Sequence, residues 1–152
     1  MTPDPPVRLR RYAPADEAPT IELWRRSWQQ SYPSIDFSAR VAWWQERWRH
    51  ELLASATVTV AEGADGIVGF VTVDTATGYL DQIVVAPESW GRGIAEALLA
   101  EARRQSPRGL HLHVNIDNHR AIRFYQKQGF CTVGDDVNPI SGRPVHRMSW
   151  RP

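Results

Sequence analysis

Apolar residues recur at helical spacing in the first third of the chain, in two separate stripes. The first stripe predicts a helix that opens near Asp16 and is broken by Pro33. The second stripe predicts a helix over residues 37–53. In order, the stripes consist of Ile21, Trp24, Trp28 and Tyr32, then Val41, Trp44, Trp48 and Leu52.

Short runs rich in β-branched residues indicate strands. A Gly-containing turn between two of these runs predicts a hairpin, and two further amphipathic segments, 91–105 and 118–128, predict helices. Residues 134–144, which are rich in Gly, Pro and Asp, are predicted to form a loop. The predicted strands are 7–11, 57–61, 67–73, 79–85, 110–114, 130–133 and 145–150.

This order of elements predicts an α/β fold. The strand–helix–strand unit in the middle requires a right-handed crossover and a parallel pair, whereas the hairpins make the other pairs antiparallel. We therefore expect a single domain over residues 7–152, with a mixed, mostly antiparallel sheet of six to seven strands, a parallel central pair and helices on both faces. Residues 1–6 are expected to be a disordered lead-in.

Composition narrows the class of protein. A net charge of +1 gives no general field for a nucleic-acid partner. No apolar run approaches the ~18 residues needed to cross a bilayer, and the N-terminus lacks signal-peptide features, so we expect a cytoplasmic protein. Cys131 is the single cysteine, and we predict that it is a buried small hydrophobe in a strand. Without a ligand cluster in the sequence, no metal is expected.

Two segments carry the candidate chemistry. Residues 83–99 are read as an apolar strand, a stop at Pro87, a glycine turn and a helix. Such a turn places free backbone N–H groups at a helix N-terminus, which suits a phosphate. The second segment, residues 118–130, contains Asn118, Ala121 and Tyr125 at intervals of three and four residues.

Together these segments resemble the acetyl-coenzyme A (acetyl-CoA) core of the GNAT superfamily of N-acetyltransferases. The family's turn reads Gln/Arg-x-x-Gly-x-Gly/Ala, and residues 90–95 match its small positions but begin with Trp90. The resemblance implies transfer of acetyl from acetyl-CoA to a primary amine by direct attack in a ternary complex. The alternative is a catalytically inert acyl-CoA-binding sensor or regulatory module.

The resemblance also implies a cofactor site. The strand Ile83, Val84 and Val85 would pair with pantetheine, and Asn118 would bind pantetheine or cap its own helix. Gly93 has no Cβ, so a pyrophosphate can come close to the backbone. The amides expected to face the pyrophosphate are those of Gly91, Arg92, Gly93, Ile94, Ala95 and Glu96.

For catalysis, the resemblance points to the Tyr125 hydroxyl as the acid that protonates the leaving thiolate. Asp81 would act as a base through water, or bind a cationic substrate. Strand alternation predicts that Asp81 and Gln82 project to opposite faces. His111 and His113 share one face of a strand, and either one is an alternative base. A backbone N–H near Val85 would stabilise the oxyanion.

The acceptor is predicted to be a small-molecule amine or a protein amine, bound against the first two helices. The neighbours Trp43 and Trp44 cannot both face the same way on a helix, so one of them is expected to line the acceptor cleft or a dimer interface. A homodimer is the default expectation for the class. The assigned acceptor-side residues are Trp28, Trp43, Trp44 and His113.

Overall fold

The computed structural model describes residues 6–152, so most of the predicted lead-in lies outside the described residues. Seven strands form one sheet in the order β1-β2-β3-β4-β5-β7-β6. β4 and β5 are parallel and the other neighbours are antiparallel, which confirms the predicted mixed sheet. The strands are β1 (Arg8–Arg11), β2 (Thr57–Gly63), β3 (Gly66–Asp74), β4 (Tyr79–Val85), β5 (Leu110–Asn115), β6 (Cys131–Val137) and β7 (Pro144–Trp150).

The helices follow the predicted stripes, with one irregularity. The helix predicted over residues 37–53 is divided, because a π-helical turn over Trp48–Leu52 lies between two α-helical pieces. Trp44, Trp48 and Leu52 are all buried, so the wider turn keeps the stripe on the core. The α-helices are α1 (Glu17–Ser31), α2 (Val41–Arg47), α3 (Leu53–Ser55), α4 (Ile94–Gln105) and α5 (His119–Lys127).

Each face of the sheet has its own apolar cluster. On one face α4 and α5 pack Leu98, Leu99 and Tyr125 against the strands. On the other face α1 and α2 contribute the aromatic group of Trp24, Trp44 and Trp48. Helices therefore cover both faces, as predicted. None of the helices within residues 6–152 is both long and apolar enough to span a membrane.

Two predictions for the last hairpin were wrong. β6 continues to Val137 inside the predicted loop, because its Gly and Asp residues pair with β7 across a bulge between Thr132 and Gly134. Cys131 is exposed rather than buried. β6 is the edge strand of the sheet, and its residues are mostly exposed. The sequence pattern predicts a strand here but does not show that the strand lies at the edge of the sheet, where side chains stay exposed.

Candidate active site

A slot opens between the two parallel strands at the centre of the sheet. β4 and β5 pair at Tyr79 and His111, where the His111 N–H donates to the Gly78 carbonyl at 3.0 Å. The register ends at that pair, so the strands separate towards Val85 and Asn115. A slot of this kind exposes the polar backbone groups of a strand that would otherwise be paired.

The register with β3 shows which residues of β4 face the slot. The Ala86 N–H donates to the Val68 carbonyl at 2.8 Å, so these two residues form a hydrogen-bonded pair. Hydrogen-bonded and non-hydrogen-bonded pairs alternate along the antiparallel ladder of β3 and β4. Val84 therefore exchanges its backbone bonds with Phe70, and the polar groups of Ile83 and Val85 point towards β5. This geometry favours backbone contacts to pantetheine from Ile83 and Val85 and argues against one from Val84.

The turn predicted to bind phosphate, residues 90–95 (the phosphate turn), contains two glycines in the left-handed region and leads into a helix, as expected. Gly91 and Gly93 have φ of +79° and +83°, and Gly93 is the N-cap of α4. The amides of Ile94, Ala95 and Glu96 belong to the first turn of α4, where no intrahelical acceptor exists. Ile94 places its side chain in the core, whereas Gly91, Arg92, Gly93 and Glu96 are exposed. The six predicted residues thus surround an open helix N-terminus suited to an anion.

Replacing Gly93 by alanine is expected to weaken coenzyme A binding about tenfold and to lower stability by about 1 kcal/mol, because a Cβ strains a left-handed residue and projects where phosphate is predicted to bind. The matched control is Gly142→Ala, since Gly142 also has positive φ (+71°) and open space around a Cβ, but lies in the β6–β7 loop. Calorimetry and thermal melting check both variants. Equal affinity losses in the two would remove the phosphate assignment.

Asn118 is the N-cap of α5 and Tyr125 lies on this helix, which follows slot strand β5 in the chain. The Asn118 Oδ1 accepts from the Ala121 N–H at 3.2 Å and caps the helix, which leaves its Nδ2 group as a donor for a ligand. Tyr125 shares the buried cluster with Val85 and Val114, which lie at the ends of the two slot strands. Burial raises the pKa of Tyr125, so its hydroxyl keeps its proton at neutral pH and can act as a donor.

The sequence model of the acetyltransferase (GNAT) family matches residues 18–130, a span that contains the slot, the phosphate turn and α5. The chain belongs to the GNAT family. The chain is similar to the peptidyl-lysine N-acetyltransferase YiaC of Escherichia coli K12, which is 33% identical over 144 residues, covering 92% of this chain and 94% of that protein.

A second relative and a solved structure are also named N-acetyltransferases. The peptidyl-lysine N-acetyltransferase YjaB of Salmonella typhimurium is 29% identical over 140 residues, covering 91% of this chain and 92% of that protein. Among solved structures, the PaiA N-acetyltransferase of Thermoplasma acidophilum in complex with coenzyme A superposes with a TM-score of 0.80 at 19% identity, covering 97% of this chain and 99% of that one. At that identity the superposition demonstrates the GNAT fold.

On the opposite side of the slot, the end of α1 meets the ends of β4 and β5. Trp28 stacks on Tyr32 with ring centroids 5.8 Å apart and donates its indole N–H to the Gln82 Oε1 at 3.3 Å. The Tyr32 hydroxyl donates to Asp117 at 2.8 Å and accepts from the Asn115 side chain at 3.1 Å. This convergence forms the candidate acceptor side.

Sequence reasoning missed most of these acceptor-side residues. Tyr32 was recognised only as a member of a helix stripe, and Asn115 and Asp117 followed a strand without any motif. Arg143, whose guanidinium lies 4.8 Å from the Tyr32 ring centroid, comes from the β6–β7 loop. No local signal joins residues that are so far apart in sequence, and the contact depends on the completed sheet.

The neighbours Trp43 and Trp44 lie on different sides of α2, as two adjacent helix positions must. Trp43 is 44% exposed on the outer side of α2, whereas Trp44 is 1% exposed. The Trp44 ring stacks on Trp24 with ring centroids 4.6 Å apart. Trp44 therefore belongs to the core, and the structure contradicts its assignment to the acceptor site because its ring has no surface for a ligand. Of the three assigned tryptophans, Trp28 is the one at the convergence of α1 with the slot.

Asp81 lies in an ion pair. Arg47 donates to both carboxylate oxygens, at 2.9 and 2.6 Å. The side chain of Arg47 is 17% exposed and that of Asp81 is 11% exposed. The bulge opposite Thr72 and Val73 leaves Asp81 unpaired in β4, and its carboxylate lies 3.4 Å from the Gln82 amide. Both side chains thus face α1 and α2, so the prediction of opposite faces was wrong. The bidentate pair favours a structural role for Asp81.

His111 and His113 do share a face, on the side of the sheet opposite α4 and α5, because they alternate with buried Leu110, Leu112 and Val114. The His113 Nδ1 is 3.1 Å from the Tyr79 hydroxyl. Burial, followed by the charge of Asp81, raises the pKa of Tyr79 to about 12, so this phenol is neutral and able to donate to His113. Burial lowers the pKa of His111, which favours a neutral ring at pH 7.

Within residues 6–152 no group of three or more His, Cys, Asp or Glu side chains is placed to hold a metal ion.

Proposed function

We propose that this chain transfers the acetyl group of acetyl-CoA to a primary amine by direct attack in a ternary complex, and that the acceptor is a lysine ε-amine of a protein. The observation that carries the proposal is the slot between β4 and β5. One end of it leads to the open N-terminus of α4, and the other side carries Tyr125 on α5.

The cofactor would lie along this path. Its pyrophosphate would bind the amides of residues 91–96, and its pantetheine would pair with the backbone of Ile83 and with the Asn118 Nδ2. The thioester carbonyl would then accept from the Val85 N–H, which stabilises the oxyanion that forms on attack.

In the transfer step a neutral amine attacks the thioester carbon. A new C–N bond forms, the C–S bond breaks, and the Tyr125 hydroxyl donates its proton to the leaving thiolate. Because an alkyl ammonium has a pKa near 10.4, obtaining the neutral amine at pH 7 costs about 4–5 kcal/mol. Solvent or an acceptor-side group takes the proton that the amine loses.

Two observations support a lysine acceptor. The relatives named peptidyl-lysine N-acetyltransferases align over nearly the whole chain. On the acceptor side, the stacked rings of Trp28 and Tyr32 adjoin the carboxylate of Asp117. Aromatic faces and a carboxylate suit a slender alkyl chain with a cationic head.

The test measures binding and turnover separately. Acetyl-CoA is expected to raise the melting temperature, because it binds only the native state. Release of free thiol is then followed with a peptide that contains one internal lysine, with its Nε-acetylated form as the matched control, and with spermidine and an N-terminal amine as competing acceptors. Thermal protection without thiol release from any amine would favour the inert sensor. Turnover of spermidine or the N-terminal amine but not the lysine peptide would overturn the lysine assignment.

A further inference from the structure

Trp90 opens the phosphate turn and contacts both sides of the slot. Its indole N–H donates to the Val85 carbonyl at 2.9 Å. Its ring is covered by the guanidinium of Arg120, whose central carbon lies 3.7 Å from the ring centroid. Since Val85 ends β4 and Arg120 lies in the first turn of α5, this one side chain joins the two flanks of the slot.

The Val85 carbonyl has a second donor. The Ser27 hydroxyl, buried on α1, donates to the same oxygen at 3.1 Å. A carbonyl oxygen has two lone pairs, so the indole and the hydroxyl together fill its capacity. The polar groups of Val85 point into the slot, and this carbonyl would otherwise be available to an amide N–H of the pantetheine.

We propose that Trp90 and Ser27 are positioning residues that set the register of the pantetheine along β4. With the Val85 carbonyl filled, the pantetheine amides must pair with Ile83, and the Val85 N–H remains for the thioester carbonyl. A slip of one ladder repeat along a strand moves a ligand by about two residues, or roughly 6.6 Å, which would carry the thioester past this N–H. The inference rests on the proposed function, since it concerns the placement of the acyl group.

The Arg120 stack gives the indole a fixed plane. A guanidinium over the face of an indole is a favourable contact, and burial lowers the pKa of Arg120. Phenylalanine at position 90 would keep a ring under Arg120 and lose only the N–H donor. Trp90→Phe therefore separates the hydrogen bond to Val85 from the ring contact.

Because two donors share one acceptor, their loss is expected to be non-additive. Ser27→Ala and Trp90→Phe should each lower kcat by no more than about threefold, and the double variant should lower it by about 30-fold. The matched control is Trp150→Phe, since Trp150 also lies under an arginine, Arg103 at 4.7 Å, but at the end of β7. The control should be unchanged.

Calorimetry gives a second readout that does not depend on turnover. Acetyl-CoA and coenzyme A differ in the acyl carbonyl, so the double variant should lose affinity for acetyl-CoA while its affinity for coenzyme A changes little. Ser27→Thr combined with Trp90→Phe retains a hydroxyl and should recover most of the lost kcat. If the double variant does not melt cooperatively, the single variants decide: each should keep the parental ratio of acetyl-CoA to coenzyme A affinity within about threefold, and a larger change in either would overturn the shared-acceptor argument.

Additive or absent effects on kcat, or equal losses of affinity for both cofactors, would overturn the register assignment. If the parent protein acetylates no amine, the proposed function fails. The calorimetric comparison then still decides whether the filled carbonyl directs the acyl group.

Discussion

Replacing Tyr125 by phenylalanine is expected to lower kcat about 100-fold, because a positioned general acid contributes at least that factor to departure of the leaving group. Burial is the cause of the raised pKa of Tyr125, and no hydrogen bond from the described residues 6–152 contributes to that shift. The ring contacts with Phe124 and Phe130 are retained in the variant. Its melting temperature and its KM for acetyl-CoA should therefore stay close to those of the parent.

Steady-state kinetics with the best amine acceptor, together with thermal melting, measure these quantities. The matched control is Tyr12→Phe, on the α1–α2 side of the sheet. It removes a phenol hydroxyl that accepts from the Trp48 indole N–H at 3.2 Å. That variant is expected to lose some stability and little kcat. A Tyr125→Phe enzyme with the parental kcat would show that another group, or water, protonates the thiolate.

The dependence of the rate on pH has a definite sign. The pKa of Tyr125 is raised above its usual value near 10, so the acid remains protonated throughout the range below pH 10. Over the same range the fraction of neutral amine increases with pH. The kcat/KM of the parent should therefore increase from pH 6 to pH 9, and the Tyr125→Phe profile should have the same shape at a lower level. A parental rate that falls above pH 8 in folded protein would argue against Tyr125 as the acid.

The elements that carry the cofactor site could be predicted because their signals are local. A proline stop, two glycines with positive φ and an amphipathic helix occupy consecutive residues, and the structure reproduces that order around Gly91 and Gly93. The capping role of Asn118 is local in the same sense, since its acceptor atom meets the N–H of Ala121 three residues later.

The acceptor side could not be predicted in the same way. Strand alternation placed Asp81 and Gln82 on opposite faces, but alternation fails at a bulge, and a bulge is set by the pairing of β4 with β3 rather than by the sequence of β4 alone. Trp43 and Trp44 were correctly separated onto different sides of α2. Which of them is buried depends on how α2 packs against α1, where Trp24 stacks on Trp44.

Asp81→Asn is expected to lower the free energy of unfolding by about 3 kcal/mol, because removing one member of a buried ion pair leaves the other charge uncompensated. Arg47 donates to both oxygens of Asp81 and is 17% exposed, so its guanidinium cannot turn fully to solvent. The pair also joins α2 to β4 on the acceptor side. Urea unfolding of the parent and the variant measures the difference.

The matched control is Glu51→Gln, since Glu51 lies 3.2 Å from the Nε of the same arginine but is 68% exposed. An exposed ion pair contributes little, so this variant should change stability by less than about 0.5 kcal/mol. Both variants should keep the parental shape of the pH–rate profile. If Asp81→Asn instead retains full stability and loses the increase in rate between pH 6 and pH 9, the carboxylate accepts the proton of the amine, and Asp81 is the base rather than the anchor of α2.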